Sequence, residues 1–379
     1  MKFIISSTLL SQNLQSIGKV IATKNTLPIL DYFLFELKGE QLSVTASDLE
    51  TTLSTTIEVE NVEQLDGSVA VPARRITDSI KEFSEQPLTI SIDKESWEIV
   101  ISWRSGKLSI PGITGMGYPE AAELGQGNEP TRVQLPSEVL GYGISSTIFA
   151  TADDPLRPVM NGINIALTPT EITFVATDAH RMVRFIDTTI KTAIPSSFIL
   201  PAKPAQLLRS VLPRDSDTPV ELIFDNKNVI FELPKHRLVC RLIEGNYPNY
   251  NAVIPQNNNN KLTVDRTELL GAIKRVAVCS NQASGLVQFS LKMGNLTLTA
   301  QDVDFATSAE DNIACDFSGD SLEIGFKSAF LLDLLTNIHS QEVIIELADA
   351  TRPGLFLPVD EVEEGQSLLM LQMPMMINA

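Results

Sequence analysis

The sequence predicts an α+β fold: three copies of one unit, each with two helices and antiparallel sheets. Three observations lead there. Distinct signals recur about every 130 residues, helical and strand periodicities alternate inside each stretch, and the strands are short and joined by tight turns. Short strands with tight turns pair antiparallel, whereas a doubly wound parallel sheet needs long crossovers. The 379 residues are 43% hydrophobic, with a mean hydropathy of +0.07. That is a soluble globular composition, long enough for two or three domains of roughly 100–200 residues, each with its own core.

Four signals carry the repeat. An apolar helical start reads Ser7-Thr8-Leu9-Leu10, Ser137-Glu138-Val139-Leu140 and Thr267-Glu268-Leu269-Leu270, with Leu10, Leu140 and Leu270 each 130 residues apart. A strand running into an acid appears as Val44–Asp48, Phe174–Asp178 and Leu298–Asp302, at offsets of 130 and 124. A strand turning into a helix reads Val71-Pro72-Ala73-Arg74, Leu200-Pro201-Ala202-Lys203 and Ile324-Gly325-Phe326-Lys327. Each copy ends on Tyr118-Pro119, Tyr247-Pro248 or Met373-Pro374. Order and spacing persist across all four, which chance does not readily give.

The joints are rich in chain breakers. Residues 111–132 hold Pro111, Pro119, Pro130 and five glycines including Gly127; residues 244–261 hold Gly245, Pro248, Pro255 and Asn257-Asn258-Asn259-Asn260. The expected domains are therefore 1–125, 126–254 and 255–379. Within them, Leu9, Leu10, Leu14, Ile17 and Ile21 follow a helical period, as do Ala205, Leu208 and Leu212. Leu88-Ile90-Ile92 and Trp97-Ile99-Ile101-Trp103 alternate at period two, and Asp93-Lys94-Glu95-Ser96 reads as the hairpin turn between them. Six helical segments are expected: 7–24, 72–85, 136–151, 201–214, 264–280 and 327–339.

Several function classes are poorly supported. The chain has no phosphate-binding GxxxxGK[ST] loop, no strand-linked GxGxxG and no GxSxG elbow. Cys240, Cys279 and Cys315 are odd in number and far apart, so they form no disulfide framework and suit a reducing cytoplasm. His180, His236 and His339 make no metal-ligand spacing with them, so neither metal nor cofactor is expected. Met1–Ile5 imitates a signal peptide, but Ser6, Ser7, Ser11, Gln12 and Asn13 break the apolar run, and no stretch reaches the roughly 18 apolar residues of a membrane span. Asp178 and His180 could form an acid–base pair of a hydrolase. The other two copies of the strand-end aspartate lack a matching histidine, which favours a structural role. Asp302 with Asp304 could offer oxygen ligands to a hard cation, but two carboxylates alternating at a strand end read better as a solvated face, and the acidic run Asp360–Gly365 reads as a solvated turn.

Net charge is −18, from 29 Lys+Arg against 47 Asp+Glu. Taken over the whole chain, that field repels nucleic acid and anionic membranes. The charge is segregated, however. The six helical segments hold 12 basic and 7 acidic residues, a net +5, leaving −23 elsewhere. Segments 7–24 and 201–214 contain no acid but hold Lys19, Lys24, Lys203, Arg209 and Arg214. Helices facing a polyanion, with acidic sheets facing water, fit weak and salt-sensitive phosphate contact. No aromatic interleaving suggests base stacking.

The stretches Thr26–Leu30, Ala46–Glu50, Val71–Arg74, Val175–Arg181, Tyr247–Tyr250, Ile324–Phe326 and Met373–Met375, in that order, resemble the bacterial DNA polymerase III beta subunit family, the sliding clamps, over essentially the whole chain. The resemblance implies a DNA-clamp fold and a head-to-tail homodimer whose six domains close a ring around duplex DNA, without sequence readout or catalysis. Twelve helices spaced ~9 Å apart make a circle of roughly 34 Å through their axes, and subtracting about 10 Å of helix thickness leaves a bore for a duplex. The implied partners are the replicative polymerase catalytic subunit, the clamp loader, and other polymerases and repair proteins, with no membrane. Their peptides would bind at Met160, Thr177, His180, Arg181, Met182, Pro248, Val253, Phe330, Met373, Pro374 and Met375. Lys24, Arg157, Lys203 and Arg209 are the expected DNA-facing residues, and Arg75, Leu108, Val278 and Cys279 match subunit-interface stretches. Three departures bear on peptide preference: Ala179 stands where glycine is common, Ala252 replaces a basic residue, and Met376–Ala379 replaces a basic-apolar ending. A protein-only scaffold is the remaining alternative.

Overall fold

The computed structural model describes residues 1–125, 129–193, 195–213, 215, 218–360 and 363–377. Gly127, Arg214, Glu361, Val362, Asn378 and Ala379 of the segments above lie outside the described residues.

Among the described residues six α-helices form, at the expected places but shorter: α1 (Ser7–Ile17), α2 (Ala73–Ile80), α3 (Ser137–Thr147), α4 (Ala202–Val211), α5 (Arg266–Ala277) and α6 (Ser328–Thr336). Helix α1 stops where Gly18 donates its N–H back to Leu14 and a 3-10 turn, Gly18–Val20, follows. Glycine weakens a helix interior, so Lys24 sits in a loop beyond the helix. Pro213 likewise cannot continue α4. Counted over these shorter spans, seven basic residues oppose four acidic ones, so the helical excess is +3 rather than +5. Two helix starts are capped by side chains: Ser6 accepts from Leu9 N at 3.2 Å, and Asp265 accepts from Glu268 N at 2.8 Å.

The helix starts also correct the repeat alignment. Ser7, Ser137 and Arg266 open the first helix of each copy, so the third counterpart of buried Leu10 and Leu140 is Leu269, which is buried, and not Leu270. In the third strand-to-helix signal, Ile324–Lys327 is all strand and α6 begins at Ser328.

Among the described residues every strand pair is antiparallel. The chain divides into two compact units: Met1–Gly141 with Lys203–Leu242, and Tyr142–Ala202 with Ile243–Ala379. The first holds a five-stranded and a nine-stranded sheet, around a core including Phe3, Phe33, Phe35 and Phe231. The second holds a nine-stranded and a four-stranded sheet, around Phe174, Phe185, Phe289, Phe326 and Phe356. Each nine-stranded sheet spans a sequence joint. In the first unit, Thr51–Glu58 of copy one pairs with His236–Arg241 of copy two, Leu53 opposite Leu238. In the second, Arg181–Asp187 of copy two pairs with Gln366–Gln372 of copy three.

The repeated strand-end aspartates are turn formers. Asp48 Oδ1 accepts from Glu50 N (3.1 Å) and Thr51 N (2.7 Å); Asp178 Oδ1 accepts from His180 N and Arg181 N (both 2.9 Å). Asp302 Oδ1 accepts from Asp304 N (3.0 Å) and Phe305 N (3.3 Å). A carboxylate that satisfies two amides closes the hairpin. The bend forces a positive φ at Leu49 (78°) and Ala179 (74°). A second aspartate series, which the sequence patterns did not bring out, does the same in the other hairpin of each copy. Asp93 accepts from Glu95 N and Ser96 N, Asp225 from Lys227 N and Asn228 N, and Asp349 from Thr351 N and Arg352 N. The N–H groups of Ser96 and Glu95 hold the Asp93 carboxyl below its ordinary range. At Asp225, partial burial pulls the other way and the amide donors outweigh it.

Candidate functional site

In the second unit, the Asp178 turn delivers Arg181 to α6. Arg181 Nε donates to Asp178 Oδ2 (3.0 Å), Nη1 to Asp333 Oδ2 (2.5 Å) and Nη2 to the Phe149 carbonyl (2.8 Å). Its guanidinium lies 4.7 Å from the Phe330 ring centroid and 5.5 Å from that of Phe149. With 10% of its side chain exposed, Arg181 is thus held by two carboxylates, a carbonyl and two rings. Thr177 supports the same turn, donating Oγ1 to the Arg181 carbonyl at 2.7 Å and accepting from Ala179 N.

Phe330 is also flanked by His180, whose ring stacks at 6.1 Å between centroids, and by Lys327, whose Nζ lies 5.0 Å from the ring centroid. The His180 carbonyl accepts from Met373 N (2.8 Å), and Met375 N donates to the Gly325 carbonyl (2.7 Å), laying the tail along Leu322–Lys327. Gly325 permits this approach: a Cβ there would meet the Met375 carbonyl oxygen at 2.9 Å and Leu286 at 2.7 Å. One turn, one helix face and the tail therefore bring His180, Arg181, Phe330, Met373 and Met375 together. Met373 is 40% exposed, so the surface presents a thioether beside aromatic rings.

The other expected peptide contacts are distributed differently. Met182 is buried with Val175, Leu355 and Leu371, beneath Tyr247, Tyr250 and Ile254. Pro248 follows Tyr247 in that covering segment and is half-buried. Pro374 is half-buried within the tail. Met160 and Val253 are carried by two 3-10 turns, Pro158–Met160 and Tyr250–Val253, with Val253 51% exposed. Asp333, Phe149 and Lys327 were not singled out from sequence. Asp333 follows Phe330 by three positions on α6, a spacing that puts both on one helix face.

This geometry leaves little for acid–base chemistry at Asp178 and His180. Both carboxylate oxygens of Asp178 are taken by backbone amides and Arg181, and the imidazole stacks on Phe330. Among the described residues no group of three His, Cys, Asp or Glu side chains could hold a metal ion, and no helix is long and apolar enough to cross a membrane.

The expected DNA-facing residues fall into two pairs. Lys24 and Arg209 are exposed. Arg157 is ion-paired with Asp154 (2.8 Å), and Lys203 with Asp48 (2.5 Å), Lys203 also donating to the Val20 carbonyl. Of the expected interface residues, Arg75 is exposed on α2, and Leu108 is half-buried on Gly106–Pro111, an outer strand of the five-stranded sheet. Val278, 84% exposed, and Cys279 follow the end of α5.

Comparison with known sequences gives three consecutive matches to one family. The profile for the DNA polymerase III beta subunit N-terminal domain matches residues 1–122, the central domain 134–249, and the C-terminal domain 251–375. The beta sliding clamp of Synechococcus elongatus is 27% identical, over 98% of this chain and 100% of that protein. That of Staphylococcus epidermidis is 28% identical, over 97% and 98%. Among solved structures, a sliding clamp from Pseudomonas aeruginosa bound to griselimycin superposes with a TM-score of 0.92 at 25% identity, each chain covered completely. A chain matched end to end by three successive domains of a single family, folded as its members are, belongs to the DNA polymerase III beta subunit family, the beta sliding clamps.

Proposed function

We propose that this chain is a non-enzymatic DNA sliding clamp of the cytoplasm. Two subunits pair head to tail around a duplex, and short peptides of the polymerase, the clamp loader and repair proteins dock on the groove at Phe330, His180 and the Met373–Met375 tail. Topological linkage keeps a tethered polymerase at high effective concentration on its template, so weak phosphate contacts suffice. The repeats end near 125 and 255 in this reading; of the four expected DNA-facing residues, Lys24 in the loop after α1 and Arg209 on α4 carry no ion pair among the described residues, while Arg157 and Lys203 would first have to leave their carboxylates.

The observation that carries the dimer is the pattern of sheet edges. Thr51–Glu58, Arg181–Asp187 and Thr307–Ala314 are the same strand in three copies; the first two are paired across the internal joints. The third is an outer strand of the four-stranded sheet. Its natural counterpart is Gly106–Pro111, the copy-one equivalent of His236–Arg241 and also an outer strand. One edge of each kind per chain supports a heterologous contact that closes after two copies. Register transfers from the first joint, where the third residues, Leu238 and Leu53, stand opposite. Leu108 then faces Ala309 of the partner subunit, and Lys107 faces Glu310 of the partner subunit.

The deciding experiment loads the protein onto nicked circular DNA with its loader and then linearises the circle. A clamp stays on the closed circle and is lost from free ends; retention independent of DNA topology would overturn the reading in favour of a surface binder or protein-only scaffold.

A further inference from the structure

The two cations against Phe330 are in opposite circumstances. Arg181 has Nε, Nη1 and Nη2 all committed, to Asp178, Asp333 and the Phe149 carbonyl, and is nearly buried. Lys327 has its Nζ over the ring at 5.0 Å, and among the described residues no carboxylate lies within ion-pairing distance of it. Its backbone is fixed, because its carbonyl accepts from Gln372 Nε2 at 3.1 Å on the strand leading into the tail. The chain has 47 acidic residues against 29 basic ones, yet among the described residues this ammonium has a ring for company and no acid.

We propose that the groove selects peptides carrying a carboxylate that pairs with Lys327, and that Arg181 is a positioning residue which receives no anion. This rests on the reading that peptides dock here. An ammonium above a ring keeps its other N–H groups free, so an arriving carboxylate adds an ion pair without dissolving the cation–π contact. A peptide covering the groove also removes water and strengthens the pair beyond an exposed surface bridge. At Arg181 the same carboxylate would have to displace Asp178 or Asp333, losing as much as it gains.

The test uses the full chain. Phage-displayed random decapeptides are selected on the native protein, and the best binder is synthesised with a fluorophore, alongside a version with its acid changed to the amide. Both are titrated against the native protein and the Lys327→Met and Lys327→Arg variants at 0.1 M and 0.5 M salt. Selected peptides are expected to share an Asp or Glu at a fixed distance from their apolar anchors. The amide change should weaken native binding roughly five- to tenfold, do nothing further to Lys327→Met, and retain its effect on Lys327→Arg. The discrimination should shrink at the higher salt. Peptides that bind without a shared acid, or a Lys327→Met protein that still discriminates acid from amide, overturn the inference and leave the groove standing. Failure to select any peptide removes the groove itself.

Discussion

Asp178 offers the sharpest test of how the groove is held. Replacing it with alanine removes the acceptor of two backbone amides, each at 2.9 Å, and one of the two carboxylates on Arg181. A hydrogen bond to a charged acceptor contributes about 1.5 kcal/mol net at the lower end of its range. Arg181 keeps Asp333 and the Phe149 carbonyl, so the lost ion pair adds only about 1 kcal/mol. Asp178→Ala should therefore destabilise the hairpin Ile172–Asp187 by about 3–4 kcal/mol. Asparagine keeps an oxygen for both amides but puts an NH2 group where Oδ2 accepted from Arg181 Nε, so Asp178→Asn should lose that ion pair, about 1 kcal/mol. Global melting would blur this, since a chain with two compact units need not unfold in one step. Hydrogen exchange across Ile172–Asp187 reads the hairpin directly, with roughly 100-fold or greater acceleration expected in the alanine variant and less than tenfold in the asparagine variant. Equal acceleration in both would refute the turn argument and show that the hairpin depends on the carboxylate's charge rather than on its acceptor oxygen.

Four further outcomes follow from the same geometry. Ala179 has a φ of 74°, so Ala179→Gly should stabilise that turn by about 0.5–1 kcal/mol by hydrogen exchange, relief of strain exceeding glycine's chain entropy. A Cβ on Gly143 of α3 would lie 2.6 Å from the Phe174 ring, so Gly143→Ala should lower thermal stability by about 1–3 kcal/mol despite alanine's better helix propensity. His236 is pushed below its ordinary value by burial, and next by neighbouring Lys235. The unfolded chain therefore takes up the proton first, stability is lost as pH falls from about 6.5 through the depressed folded value, and His236→Gln should flatten that slope in melting curves. Cysteines at 108 and 309, with Cys279 and Cys315 changed to serine, should give a disulfide-linked dimer on non-reducing gels. The parent pair Leu53–Leu238 lies between the pairs bonded through Thr56 N–Lys235 O and Arg241 N–Glu50 O, so it is a narrow pair suited to a disulfide. Absence of the cross-link would show that the third joint has another register.

The threefold plan was legible because turn chemistry recurs in sequence. Asp48, Asp178 and Asp302 stand out since each must close a hairpin, and the Leu10 series stands out because a helix start buries the same position every time. The series Asp93, Asp225 and Asp349 follows the same rule at offsets of 132 and 124 but was hidden by different neighbours. Helix ends fall short of the apolar periodicity where it runs on past a glycine, as at Ile21 after Gly18. The proposed peptide site was only half legible. His180, Arg181 and Phe330 follow from the family resemblance, whereas the fixing of Arg181 by Asp333, 152 positions away, depends on a tertiary contact that no local pattern encodes. The same is true of Lys327, whose solitary charge is visible only when its neighbours are known.

The bare margins of the two smaller sheets have a consequence for the chain on its own. A lone subunit offers backbone donors and acceptors along Gly106–Pro111 and Thr307–Ala314, the kind of border on which fibrous stacking begins. Nothing about hydrogen bonding alone stops one border from meeting its own kind. Side chains would supply the sorting: a like-with-like seam centred on Glu310 or on Lys107 sets two acids or two bases together, whereas the register proposed above sets the one opposite the other. On that register, polarity written into the fringe of the sheet would guard the lone chain before assembly and dictate orientation during it.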